Sequence, residues 1–139
     1  YFGISDNCGQ LSSLCISYRQ AESALKITKD TSRIIDYNDL GVYKLILMIN
    51  DENALRNFLD EILGKLIAYD NLNNTNYISI LQTYLENDES VQAVAKLMYV
   101  HRNTVNYILK KISKIINYDL TKEENHLKIM LAYKIKEIL

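Results

Sequence analysis

The residues best suited to bind another molecule through charge and hydrogen bonds lie between positions 90 and 118. This segment has no Asp or Glu, and its five basic residues give it a local charge of +5. They are Lys96, Arg102, Lys110, Lys111 and Lys114. Residues 36–89 have ten acidic and three basic residues, a local charge of −7. A basic island beside an acidic surface is typical of a nucleic-acid contact face, although a solvated helix face explains the charge alone equally well.

The pattern of residues 101–116 predicts a helix with one apolar and one polar side. Its apolar residues recur at helical spacing: Val105, Ile108, Leu109, Ile112, Ile115 and Ile116. At about 100° per residue, four side chains point away from this stripe: Asn103, Tyr107, Lys110 and Lys114. Thr104, Asn106 and Lys111 flank the exposed face, and Arg102 lies in the first turn.

Amides, hydroxyls and cations on one helix face suit the contacts that a DNA-reading helix makes. Asn can make two hydrogen bonds to adenine in the major groove and Arg can do so to guanine, whereas Lys chiefly meets phosphate charge. The predicted DNA contacts are Ser90, His101, Arg102, Asn103, Thr104, Asn106, Tyr107, Lys110 and Lys111. Three alternatives stay open: His101 as a helix cap or a packed ring, Tyr107 as cover for the core edge, and Lys114 as a solvated residue.

The segments around this helix predict a helix-turn-helix. Helices are expected over residues 77–85, 91–98 and 101–116, and this order of a short helix, a tight turn and a longer basic helix defines the motif. Ser90 is the expected cap of the second helix. Tyr99 and Val100 form the expected turn, and the small Ala95 lets the second and third helices approach each other.

A last helix is expected to pack against the other three. Thr121 and Glu124 match a capping box at its start. Its predicted apolar side consists of Leu127, Met130, Leu131, Ile135 and Ile138.

The first half of the chain predicts a strand, a helix, a second strand and two connector helices. The strands are expected at residues 1–5 and 33–37, with a helix over residues 12–30 between them. Asp39 is expected to cap a helix that ends near residue 49, and Asn50 or Asp51 to cap the next one. The polar residues 69–76 predict a linker and a domain boundary.

Composition supports a mostly helical fold. The 139 residues include no proline and only four glycines, and 48% of them are hydrophobic. No apolar run is long enough to span a membrane and no signal peptide is recognisable, so a cytoplasmic protein without membrane contact is expected. The start at Tyr1 suggests that an N-terminal part is missing. Cys8 and Cys15 are expected to be buried or half-buried free thiols, because no zinc-site or disulfide pattern accompanies them.

The stretch ILQTYLENDESVQAVAKLMYVHRNTVNYILKKI, residues 80–112, resembles the C-terminal helix-turn-helix of the PucR/CdaR group of bacterial regulators. The resemblance depends on the YLE stretch at residues 84–86, on Ala95 and on HRNTV at residues 101–105, and residues 127–135 are similar to the last helix of the family. Asn106 and Ile108 stand where the family often has arginine. That departure leaves Asn103, Thr104 and Tyr107 as the better candidates for reading bases.

The first half resembles the end of a GGDEF-like domain and the helices that follow it in such regulators. YFGIS at the start, residues 18–25 and residues 36–47 show this similarity. A diguanylate cyclase needs a GG(D/E)EF hairpin to bind its nucleotide and metal, and no two glycines are adjacent here. The resemblance therefore implies a non-catalytic remnant.

The resemblance implies three parts in a mostly α fold: the end of a degenerate GGDEF-like domain (1–38), a helical connector and linker (39–76), and a helix-turn-helix bundle (77–139). The implied function is that of a transcriptional regulator that binds double-stranded DNA, such as a regulator of purine catabolism. Such a protein is not an enzyme and uses no cofactor or metal. The full-length protein is expected to be a homodimer with a small-molecule effector at its missing N-terminal domains. The alternative is a protein- or RNA-interaction module that uses the basic helix without sequence-specific DNA binding.

Overall fold

The computed structural model describes residues 1–27 and 34–139, which divide into two compact units. The first unit comprises Tyr1–Glu52 with Glu137–Leu139, and the second comprises Asn53–Lys136. The fold is mostly α, as predicted, with one small two-stranded sheet in the first unit. No helix within the two described ranges is long and apolar enough to cross a membrane.

The first unit contains the strand, helix and strand that the sequence predicts. Strand β1 (Phe2–Ile4) pairs in parallel with β2 (Ile34–Asp36), and α1 (Leu14–Ile27) follows a 3-10 turn at Leu11–Ser13. A Cβ at Gly3 would lie 2.1 Å from the carbonyl oxygen of Ala21, so only glycine lets β1 approach α1 this closely. The expected end of the helix at residues 28–30 and the start of the second strand at Arg33 lie outside the described residues.

Two expectations for the first unit are wrong. Asp39 does not cap a helix: a 3-10 turn covers Tyr37–Leu40, capped by the Asp36 carboxylate, which accepts a hydrogen bond from the Asn38 amide at 2.8 Å. Helix α2 (Tyr43–Leu47) therefore starts later than expected. Cys8 and Cys15 are both exposed rather than buried: Cys8 precedes α1, and the side of α1 that packs inward presents Ser17 and Ala24 instead of Cys15.

The expected connector is one long helical segment, which lies almost entirely in the second unit. It consists of α3 (Glu52–Leu59), a π-helical turn (Asp60–Gly64) and α4 (Lys65–Asn73). The expected linker at residues 69–76 is therefore wrong for residues 69–73, which continue the helix. Only three residues separate α4 from α5 (Tyr77–Glu86), and Asn74 ends α4 in a left-handed conformation with φ of +51°.

The buried carboxylate of Asp70 explains why the polar stretch folds. It accepts hydrogen bonds from the Thr75 hydroxyl at 2.6 Å and from the amides of Tyr77 at 3.0 Å and Ile78 at 2.8 Å. The first amides of a helix have no partner within it, and a negative charge at that end is favourable. Asp70 thus caps α5 from the preceding helix.

The second unit has the predicted order of helices: α5, α6 (Val91–Leu97), α7 (Arg102–Ile116) and α8 (Glu123–Ile138). Its core combines these four helices with the connector, as shown by its fully buried members Leu63, Leu66, Leu81, Val94, Val105, Ile112 and Ile129. The Tyr133 hydroxyl of α8 donates to the Ile78 carbonyl of α5 at 2.6 Å, and burial raises the pKa of this phenol. Since Asp70 binds the Ile78 amide, the start of α5 is held from both sides.

The start and the apolar side of α8 differ from prediction. The expected capping box is wrong, because the Thr121 hydroxyl donates to the Asp119 carboxylate at 2.7 Å and Glu124 accepts from Lys128 at 2.6 Å. Leu127 is 72% exposed rather than packed inward. The buried side chains of α8 are Ile129, Ala132, Tyr133 and Ile135.

We expect Asp70→Ala to lower the free energy of unfolding by about 1.5–3 kcal/mol, because two amides of α5 and one hydroxyl lose a charged acceptor. Urea denaturation followed by circular dichroism measures this change. Asp60→Ala is the matched control: its side chain is exposed, and the change should stay within about 0.5 kcal/mol. Equal stability of the two variants would contradict the capping role of Asp70.

Candidate nucleic-acid interface

The turn between α5 and α6 sets the start of α6, the first helix of the helix-turn-helix motif. Asp88 and Glu89 both have positive φ, and the chain then enters α6 at Ser90. The Ser90 hydroxyl accepts a hydrogen bond from the Ala93 amide at 3.2 Å, so the predicted cap is confirmed. Its own hydroxyl proton stays available for a second partner.

The turn between α6 and α7 is a tight helix end. The Val100 amide donates to the Ala95 carbonyl at 3.0 Å, and the Tyr99 amide donates to the Lys96 carbonyl at 3.3 Å. These two bonds form a Schellman motif, in which Tyr99 holds the left-handed position with φ of +55°. Tyr99 and Val100 thus make the turn, as predicted.

His101 opens α7 as its N-cap. The Nδ1 atom accepts a hydrogen bond from the Asn103 amide at 3.2 Å, and the ring is exposed. The capping alternative for His101 is therefore correct. Because Nδ1 is the acceptor, Nε2 remains free to meet an outside partner.

Burial divides α7 as its sequence predicts. Its buried side chains are Val105, Leu109, Ile112 and Ile116. Its exposed side chains are Arg102, Asn103, Thr104, Asn106, Tyr107, Lys110 and Lys114. Tyr107 is 64% exposed and so does not cover the core edge. The exposed face has amide, hydroxyl, phenol and cationic groups and no carboxylate.

Lys111 differs from the other predicted contacts because its ammonium group already has partners. The rings of Tyr69 and Tyr77 are stacked, with centroids 5.7 Å apart, and the Lys111 Nζ atom lies 5.1 Å and 5.6 Å from the two centroids. A hydrogen bond with Tyr69 is the largest influence raising the pKa of Lys111. Lys111 therefore joins α7 to α4 and α5, which the periodicity of α7 alone does not reveal.

The described parts of the chain present no metal centre. No group of three or more His, Cys, Asp or Glu residues in residues 1–27 and 34–139 lies close enough together to hold an ion. Asp70, Tyr69 and Tyr77 support the site without belonging to its exposed face. Sequence reasoning missed all three, because they lie in or beside the polar stretch assigned as a linker.

Comparison with known proteins agrees with this geometry. Residues 77–135 match the PucR C-terminal helix-turn-helix domain family. Over most of its length the chain is similar to three Bacillus subtilis (strain 168) proteins. It is 30% identical to the DNA-binding transcriptional activator AdeR over 88% of this chain and 30% of the relative. It is 30% identical to the proline-responsive transcriptional activator PutR over 96% of this chain and 34% of the relative.

The third relative is the purine catabolism regulatory protein, which is 28% identical over 99% of this chain and 26% of its own length. The chain thus spans about a third or less of the length of the curated relatives it matches. The similarity to all three extends well beyond the helix-turn-helix into the first half of the chain.

The two faces of α7 should respond in opposite ways to truncation. Leu109→Ala removes a buried side chain and should lower the free energy of unfolding by about 2–5 kcal/mol through lost burial and a cavity. Asn103→Ala and Tyr107→Ala lie on the exposed face and should change it by no more than about 0.5 kcal/mol. Thermal and urea melts measure all three. Melting of the domain by Asn103→Ala or Tyr107→Ala would show that the exposed face has been assigned wrongly.

Proposed function

We propose that this chain is part of a PucR-type transcriptional regulator, whose C-terminal helix-turn-helix domain residues 77–135 match, and that its α7 reads the major groove of double-stranded DNA. One observation carries this proposal: the exposed face of α7 has no acid and lies opposite a buried apolar stripe. In a helix-turn-helix the first helix, here α6, crosses the DNA backbone, and the N-terminal residues of the second, here α7, contact base edges. The capped start of α6 and the tight turn before α7 support that arrangement.

The exposed side chains divide into two roles. Asn103, Thr104 and Tyr107 are the proposed base readers, because amide and hydroxyl groups can distinguish base edges. Arg102 and Lys110 are the proposed phosphate contacts, with Ser90, His101 and Asn106 at the margins of the face. Lys111 is the weakest of the predicted contacts, because its ammonium group lies over two tyrosine rings.

The remainder of the full protein is proposed to sense a small-molecule effector. The chain spans about a third or less of its relatives, one of which is named for its response to proline and another for purine catabolism. Two of the three are named as activators, which supports activation of transcription here. Residues 1–38 are proposed to be the end of a GGDEF-like domain that serves as scaffold, with no enzyme activity.

We further propose that the full-length protein binds DNA as a homodimer. One recognition helix touches few base pairs, and paired helix-turn-helix domains read two half-sites separated by one helical turn or a multiple of it. Footprinting of the full-length protein is expected to protect two related half-sites. Protection of one isolated half-site would contradict the dimer.

Salt dependence separates the roles of two neighbouring lysines. DNA affinity of this chain should fall steeply between about 50 and 200 mM salt, because each neutralised phosphate releases counterions. Lys110→Gln should reduce the slope of log affinity against log salt by about one unit and weaken binding to all sequences alike. Lys111→Gln is the matched control and should leave the slope unchanged. Titrations by fluorescence anisotropy measure both.

Two outcomes of those titrations would count against the proposal. A DNA affinity of the wild-type chain that does not change with salt would show that the chain makes no phosphate contacts. Equal affinity for an enriched and a scrambled duplex would favour a protein- or RNA-interaction module over a sequence-specific regulator.

A further inference from the structure

Tyr99 combines an unfavourable backbone conformation with almost complete exposure. Its φ of +55° places it at the left-handed position of the Schellman motif that ends α6, where glycine is the usual residue. A side chain with a Cβ is disfavoured there, and a tyrosine gains nothing from asparagine's local hydrogen bonding. The side chain is nevertheless 96% exposed, so no packing within the described chain compensates for the strain.

Residue type explains three of the other four left-handed positions. Among the described residues, the non-glycine positions with positive φ are Asn74, Asp88, Glu89, Tyr99 and Asn117. Asn and Asp adopt this conformation more readily than other residues. Glu89 pairs with the imidazole of His126 at 2.5 Å. Tyr99 therefore combines backbone strain with an exposed aromatic side chain. Strained positions cluster at functional sites, so this combination indicates a function.

The neighbourhood of Tyr99 indicates its partner. Leu97, Met98 and Val100 are partly exposed beside it, and the exposed residues His101 and Arg102 follow. The whole segment from residue 90 to residue 118 has five basic residues and no acid, which complements a polyanion. Tyr99 lies two residues before the N-cap of α7, so in the proposed complex, where the N-terminal end of α7 enters the major groove, it would lie close to the DNA backbone.

We propose that Tyr99 is a DNA-backbone contact: its phenol donates a hydrogen bond to a phosphate oxygen at the groove edge, and its ring lies against the adjoining sugar. Tyrosine is among the side chains that bind phosphate oxygens in protein–DNA complexes. Such a contact fixes the register of α7 in the groove and carries no sequence information itself. This inference rests on the proposed DNA-binding function.

The conformation of Tyr99 allows an unusually clean test. Tyr99→Gly and Tyr99→Asn both suit the left-handed position, so they should melt at the same temperature as the wild-type chain or higher. Both should nevertheless bind DNA about 5- to 10-fold more weakly, the loss expected for one hydrogen bond and its contact area. Leu127→Ala on α8, which removes an exposed apolar side chain elsewhere, is the control and should bind as wild type.

Binding is measured with the whole chain on a duplex enriched by the wild-type protein from a random-sequence pool, and on a scrambled duplex of the same composition. Weaker binding to both duplexes, with an unchanged salt slope because tyrosine is uncharged, supports the contact. If the wild-type chain prefers the enriched duplex and Tyr99→Gly and Tyr99→Asn bind it as tightly as the wild type does, the contact is overturned. If the wild-type chain binds both duplexes equally tightly, the proposed sequence-specific function is wrong, and the Tyr99 contact that rests on it is overturned as well.

Discussion

The burial of one stripe of α7 is the constraint on which the rest of the second unit depends. Val105, Leu109, Ile112 and Ile116 face the core, so helical geometry obliges the side chains opposite them to face solvent. Because the core is closely packed, α7 cannot rotate about its axis without exposing these residues. The polar face therefore has a fixed direction, and a helix can read base edges only when that direction is fixed.

The connector, α3 to α4, packs in the same core as α7 and is held by the same constraint. Leu63 and Leu66 are fully buried in the same core as α7, and Asp70 and Tyr133 bind the amide and the carbonyl of Ile78. Lys111 adds a second link from α7 to the stacked rings of Tyr69 and Tyr77. A movement of α4 would therefore act directly on the start of α5 and on the flank of α7. The three helices are therefore coupled by direct contacts within the second unit.

Much of this arrangement could be predicted from the sequence, because helical periodicity reports which side of a helix is buried. The order of α5 to α8, the Ser90 cap and the outward direction of Asn103 and Tyr107 all follow from spacing. Residue spacing does not show which distant group will form a hydrogen bond with a polar side chain. Asp70 lies in a polar stretch typical of a linker, yet its carboxylate binds backbone amides beyond the end of its own helix. The capping box failed for the same reason: the Thr121 hydroxyl binds Asp119 instead of the helix amide that the motif supplies.

We propose that the exposed face of α7, the turn before it and the adjoining Ser90 form the surface of the described chain that meets DNA. Titrating isotope-labelled protein with an enriched duplex while recording amide chemical shifts tests it most directly. The amides of residues 99–107 and of Lys110 should shift progressively, while those of the acidic connector, α3 and α4, should hardly move. Shifts concentrated on the connector or on the exposed side of α8, with α7 unperturbed, would contradict it.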